Sequence, residues 1–319
     1  MALPSIIKTW QYSVSQLVAA TGSPSTEAQA LFLAIKNAMI AFGSTAWTVR
    51  YSCNKTTAGT AGDGVDRWTT TASIVDTNSG THSWMVLRQT GLGVNFELCI
   101  DCLSGSGPGA VHFGSIVVSF GAGFTGGTTS LRPTATDEQI LINQTTILPT
   151  ASGNSRWHLM QSSDGACTRL FVTHSGAPLT CWIFDKVTNA VTGWTNPIIA
   201  HATISAATTD WSSATGTFSI RPASTNGLAS LGCEGNAGGT VSAIAAGAVA
   251  NELDSSNPIL PLSVLGITGG MRGRNATVID LWAGGAGVVT GDTYPNDTTY
   301  QFAQFGTLIV PWNATLPAI

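Results

Sequence analysis

Trp47-Thr48-Val49-Arg50-Tyr51-Ser52-Cys53 is where the chain changes its grammar. The run alternates, which predicts a strand with Trp47, Val49, Tyr51 and Cys53 on one face. Before it the period is helical. Ser23 stands ahead of Pro24, a capping residue followed by a proline at a first helical position. From Glu27 to Phe42, the residues Leu31, Ile35, Ala38 and Phe42 form one stripe, widened by Phe32 and Met39. Lys36 and Asn37 occupy the opposite side and Gly43 is a natural C-cap. This predicts one amphipathic helix packed on a sheet, and its polar face carries too little basic charge for a membrane-surface helix. Further upstream, Ile6, Ile7, Trp10, Val14 and Leu17 recur at threes and fours, which predicts a short helix or an arm.

After Cys53 the strand grammar persists. Short apolar runs at 82–88, 94–100, 112–120, 156–160, 168–173 and 179–185 are separated by Gly, Ser, Asn and Pro turns, with Asp164-Gly165 as a hairpin signal. Thr217 to Ile220 reads as a strand, Val241 to Ala250 as a strand or a small helix, and Asp254 to Arg274 as a long loop. The fold class expected is all-β, a β-sandwich or jelly-roll-like architecture with one N-terminal amphipathic helix. The expected divisions are an arm and helix over 1–45, a first β region over 46–135 and a second over 136–319, the last two open to being one domain. The Pro/Thr/Ser stretch from Arg132 to Ser155 is the candidate linker, with a short element at 140–147.

The end of the chain carries a resemblance. Gly291-Asp292-Thr293-Tyr294-Pro295 is a dense turn, followed by Gln301 to Phe305, Gly306 and a closing Pro311-Trp312. A basic-glycine segment with Arg272 and Arg274 precedes Asp280-Leu281-Trp282. This set resembles the C-terminal end of structural proteins of tailed-bacteriophage virions. It covers roughly the last 45 residues, with a weaker likeness at Trp84 to Cys99 and Trp157 to Phe184. The resemblance implies a virion or tail-associated structural role, made in the host cytoplasm, and it implies no catalytic residue.

Composition points toward assembly on separate grounds. Charged residues are 9% of the 319, against about 25% in an ordinary soluble domain. Thirteen basic and seventeen acidic residues give a net charge of −4 with no block of either sign. So little charge fits a surface that is neutral or covered by neighbouring subunits. No run of 18 apolar residues predicts a membrane-spanning helix, and the first twenty residues read as mature sequence rather than a secretory signal.

Six cysteines in a chain this long do not make a disulfide scaffold, and Cys99-Ile-Asp-Cys102, which has redox or metal spacing, sits in a strand-like run, so its thiols read as buried and structural. Cys167 and Cys181 could face each other across a hairpin. The five histidines, at 82, 112, 158, 174 and 201, show no paired metal spacing. No phosphate-cradling loop is present, and no nucleophile elbow. The acidic residues, including Glu97, Asp101, Asp185, Glu234, Asp280 and Asp292, read mostly as turn residues, which disfavours a glycosidase pair. Thirteen scattered basic residues cannot form an extended nucleic-acid surface.

The expectation is therefore a non-enzymatic subunit with no cofactor or metal. It would form a homo-oligomer and dock to other virion proteins, using the helix or arm and the 254–274 segment. Arg272, Arg274 and Trp312 are the interface candidates. Trp47, Trp84, Trp157 and Trp182 read as core, whereas Trp194 and Trp211, among Thr, Asn and Ser, are candidates for ligand contact. A receptor- or glycan-binding β module at the tail tip, touching a host surface glycan, is the first alternative. A phage-borne polysaccharide or cell-wall hydrolase is the second.

Overall fold

A computed structural model describes residues 10–18, 24–41, 47–74, 80–89, 96–104, 113–121, 123–136, 138–144, 155–162, 168–174, 177–188, 195–203, 217–222, 229–233, 259–266, 271–274, 282–284, 293–295, 300–305 and 308–313. These form one α-helix, α1 (Pro24–Ile40), and eighteen strands. The strands are β1 (Trp10–Val18), β2 (Trp47–Cys53), β3 (His82–Gln89), β4 (Phe96–Ser104), β5 (Phe113–Gly121), β6 (Gln139–Gln144), β7 (Ser155–Ser162), β8 (Thr168–His174) and β9 (Ala177–Thr188). They continue as β10 (Thr195–Thr203), β11 (Thr217–Pro222), β12 (Ala229–Cys233), β13 (Ile259–Gly266), β14 (Met271–Arg274), β15 (Trp282–Gly284), β16 (Thr293–Pro295), β17 (Tyr300–Phe305) and β18 (Leu308–Asn313). They make two antiparallel sheets, of five and thirteen strands. The chain divides into two compact units, one of Gln16–Trp157 with Ser205–Ser213, the other of Met1–Ser15, His158–Ile204 and Ala214–Ile319.

The first unit holds the five-stranded meander β2-β3-β4-β5-β6. Its register shifts between Val49 and Tyr51, so Arg50 is an extra residue, a β-bulge. The bulge overturns the expected face. Trp47 and Val49 pair with Gln89 and Leu87, whereas Tyr51 and Cys53 pair with Val86 and Trp84, and the two sets therefore lie on opposite faces. Both faces are buried. One carries Trp47, Met85, Leu87, Leu98 and Ile100; the other carries Tyr51, Cys53, Trp84, Val86 and Cys99, which cluster with Phe124 from the segment after β5.

The helix packs against β2 and the 3-10 turn Thr71–Ser73. Leu31, Phe32, Ile35 and Met39 are buried as expected, while Asn37 is exposed. Lys36 is not on the solvent side. It is buried, and its Nζ donates to Asp66 Oδ2 at 2.6 Å and to the Trp68 carbonyl at 2.8 Å. Gln29 is buried too, donating to the Ile74 carbonyl at 3.0 Å. At 100° per residue, Gln29, Leu31, Phe32, Ile35, Lys36 and Met39 span an arc of about 160°. Lys36 lies at the edge of that arc, where its long stem passes through apolar surroundings to a fixed carboxylate. The expected C-cap, Gly43, lies outside the described residues.

The outer edge of β2 is closed by the loop that follows it. Gly64 N–H donates to the Arg50 carbonyl (2.9 Å), Gly59 N–H to the Ser52 carbonyl (2.9 Å) and Trp68 Nε1 to the Cys53 carbonyl (3.0 Å). Ser52 Oγ donates to the Val65 carbonyl and accepts from Arg67 N–H, both at 2.8 Å. An edge strand whose polar groups are occupied this way is no template for stray pairing. Gly59 is required here, because a Cβ would lie 2.8 Å from the Ser52 carbonyl oxygen.

The second unit holds most of the larger sheet, ordered β1-β7-β8-β9-β10-β11-β12-β13-β15-β18-β17-β16, with β14 also on β13. β14 lies against β9, four strands from β13 in the sheet order, so the sheet bends back on itself. Two expectations change here. Trp10–Val18 is a strand, because Trp10, Tyr12 and Val14 alternate with Gln11, Ser13 and Ser15, and aromatic and β-branched residues suit the pleat. The expected 254–274 loop contains β13 and β14, paired antiparallel through Ser263–Arg274 and Val264–Gly273. The apolar residues Ile259, Leu260, Leu262, Val264 and Leu265 form that first strand despite Pro261, which sits opposite Trp282. Val241–Ala250 lies outside the described residues.

Lys36 supplies a discriminating test. Lys36→Ala strands the Trp68 carbonyl and leaves Asp66 without its cation, and should cost about 2–4 kcal/mol. Asn37→Ala, one residue along and exposed, should stay within about 0.5 kcal/mol. Urea unfolding of both variants reads the difference.

Candidate functional site

The densest polar cluster among the described side chains is built on β4 and covered by residues 123–136. Glu97 pairs directly with Arg88 across β3 and β4. Its side chain has no solvent exposure. Oε1 accepts from Arg88 Nη2 (2.7 Å) and Nε (3.0 Å), and Arg50 Nε lies 3.0 Å away. Oε2 accepts from Arg50 Nη1 (3.2 Å) and from the Phe124 N–H (3.0 Å). Arg50 Nη1 also donates to the Phe124 carbonyl. The bulge explains this reach, since it turns Arg50 and Tyr51 to one face, with the Arg50 guanidinium 5.3 Å from the Tyr51 ring centroid. Both backbone groups of Phe124 are thereby held while its ring enters the apolar cluster.

The covering segment is tied down again at its tip. Trp84 Nε1 donates to the Thr128 carbonyl (2.9 Å) and His82 N–H to the Thr129 carbonyl (2.7 Å). Gly127, at φ +93°, lies flat on the Trp84 indole, and a Cβ there would come within 2.5 Å of Cζ2. Tyr51 meets the same indole edge-on, with centroids 5.0 Å apart. Behind the tip, Arg132 pairs with Glu138. Leu131 stands exposed at the turn.

One set of residues imitates a catalytic triad. His82 Nδ1 and Asp101 Oδ1 are 2.8 Å apart, an arrangement that orients an imidazole. The Cys53 thiol is close by, but it lies 3.6 Å from the His82 backbone carbonyl and 3.1 Å from that of Asn54. Burial pushes the Cys53 thiol up to about 12, despite the nearby Arg67 charge, so it stays protonated and is no nucleophile. Cys99 and Cys102 are also free, buried and raised by burial. Three residues apart on one strand, they face opposite sides of the sheet and cannot share a metal or a disulfide. The reading of Cys99 and Cys102 as buried thiols holds, and Cys53 is buried and free as well. Cys167 lies outside the described residues, and Cys181 pairs in register with Phe171 and Ala202.

Glu97 and Asp101 are strand residues, contrary to the expectation that the carboxylates lie mostly in turns. They share one face of β4 about 13 Å apart, wider than the span of a glycosidase pair. Each already has its own counter-group, so neither faces an open cleft. No group of three or more His, Cys, Asp or Glu suited to a metal occurs among the described residues.

The expected contact residues disperse. Arg272 and Arg274 lie two apart on β14, with Arg274 opposite Ser263 and Arg272 at a register shift. Trp312 pairs with Gln301 on β17. Trp194 and Trp211 lie outside the described residues. Trp47, Trp84 and Trp157 are buried, as expected of core residues. The Glu97 clamp went unrecognised in the sequence, although an Arg-containing strand beside a Glu-containing one was its visible trace. Compared with protein-family models, with curated proteins and with solved structures, the chain matches none.

Two measurements follow from this geometry. Glu97→Gln leaves two guanidinium groups without a charge partner and should destabilise the fold by about 3 kcal/mol, read by denaturant unfolding. Asp101 is raised by burial, which outweighs the lowering effect of His82 and Arg132. Folding thus favours its protonated form, so its stabilising contribution is present below the ordinary carboxylate range and lost as pH rises through the folded value. Asp101→Asn should therefore gain stability relative to the parent as pH rises through and above the ordinary carboxylate range, measured as paired urea midpoints. A difference that stays flat, or falls with pH, would contradict the assignment.

Proposed function

We propose that the chain is a non-enzymatic structural subunit that self-associates and docks to other proteins of a tailed-phage virion. One observation carries the assembly part. Among the described residues of the first unit most charges pair with one another, as Lys36–Asp66, Arg50–Glu97–Arg88, Arg67–Asp63, His82–Asp101 and Arg132–Glu138. With charged residues only 9% of the chain, such pairing leaves few charges free for solvent in this unit. Neutral surfaces of this kind suit permanent contact with neighbours better than free diffusion at high concentration. The word phage rests on the C-terminal resemblance alone.

The finer architecture proposed is a β-sandwich or jelly-roll-like closure, supported by the return of β14 toward β9. Arg272 and Arg274 on β14 and Trp312 on β18 remain the interface candidates. The helix is a weaker one than expected, because its apolar stripe is used inside its own unit. A virion location after synthesis in the host cytoplasm follows from the same reading. The hydrolase alternative finds no support in the Glu97–Asp101 geometry.

Light scattering of the purified chain across a concentration series tests the proposal. A discrete oligomer, stable on dilution, is expected. A monomer at every concentration would contradict self-association.

A further inference from the structure

Direct cross-strand partners share a face, so Tyr51, Val86, Cys99 and Ser119 form one row across β2, β3, β4 and β5. All four are buried. Two of them carry hydroxyl groups, and neither Tyr51 Oη nor Ser119 Oγ has a hydrogen-bond partner in the protein. A hydroxyl taken out of water and given no new partner is costly. Two in one row therefore call for a physical account.

The protein around the row has no group to spare. The apolar cluster here is completed by Phe124, Ala58 and Ala135, whose side chains carry nothing polar. The Arg50 guanidinium stands 5.3 Å from the Tyr51 ring centroid and is engaged by Glu97 and the Phe124 carbonyl. Cys99, in the same row, is a free thiol, a weak donor and a weak acceptor. Burial pushes the ionisation of Tyr51 up, and the Cys99 thiol adds to the rise, so the Tyr51 hydroxyl keeps its proton. Tyr51 and Ser119 start three strand spacings apart, about 14 Å, and do not bond each other.

We infer that this row holds a buried hydration site, in which ordered water is bound by Tyr51 Oη and Ser119 Oγ beneath the segment 123–136. The chemistry selects water over other occupants. Each hydroxyl both donates and accepts, as water does. A cation would find no uncommitted carboxylate on this face, because both oxygens of Glu97 are engaged and Asp101 is held by His82. An anion would find no uncommitted positive group beside the row, and an apolar molecule would leave both hydroxyls bare. Water held in this way becomes part of the fold and completes the hydrogen bonding under the covering segment. The inference does not depend on the structural-subunit reading, since solution mass tests one and ordered solvent the other.

The first test is a crystal structure of the full chain at a resolution that shows ordered solvent. Water is expected within about 3 Å of each of the two oxygens. The second is urea unfolding of Tyr51→Phe and Ser119→Ala, because the sign of the shift separates the two states of a hydroxyl. Removing a hydrated hydroxyl should move the midpoint down, whereas removing a bare one should move it up. Ser130→Ala, at an exposed hydroxyl, should leave the midpoint in place. Absence of water at both oxygens would overturn the inference, as would a protein partner on either one, or a raised midpoint in both variants.

Discussion

A carboxylate with no access to water holds the first unit together. Burying Glu97 uncompensated would be expensive, and the fold surrounds it with two guanidinium groups and one backbone N–H. That demand reaches back to β2. Arg50 arrives only because an extra residue there turns it to the same face as Tyr51. The demand also reaches forward, because the same two side chains fix both backbone groups of Phe124. The segment that buries the Tyr51–Trp84–Cys99 face is thus anchored by charge and filled by an aromatic ring. Removing either contribution exposes the other.

The same economy runs through the unit. Lys36 joins the helix to the loop after β2, and that loop covers the free edge of β2. Lys36, Arg50, Arg67 and Arg132 each reach a backbone carbonyl as well as a carboxylate, a structural task that an apolar contact could not do. The result is a sheet buried on both faces, with one edge closed and little charge to spare for solvent.

How much of this was legible depended on whether one period governed a stretch. The helix over Pro24–Ile40 and the strands at 82–89 and 96–104 were readable because a single period runs through each. The β2 faces were misread because one extra residue reverses side-chain direction, and nothing in Val49-Arg50-Tyr51 announces it. Lys36 was misplaced for a different reason. A periodicity argument sorts by polarity, whereas a long stem at the edge of an apolar arc is drawn in by a carboxylate thirty residues away. At β13, Pro261 and the flanking glycines suggested a loop, but the apolar residues between them decided for a strand. The Arg50–Glu97–Arg88 clamp needs residues from three strands in register, which no local pattern encodes.

Amide hydrogen exchange at Phe124 measures the central claim most directly. If Glu97 and Arg50 anchor this residue, its N–H should exchange only when the sheet itself opens, with the same protection as the amides of Val86 and Leu98. Exchange as fast as that of the exposed loop glycine Gly62 would show that the segment lifts off independently. The buried carboxylate would then not be what holds it.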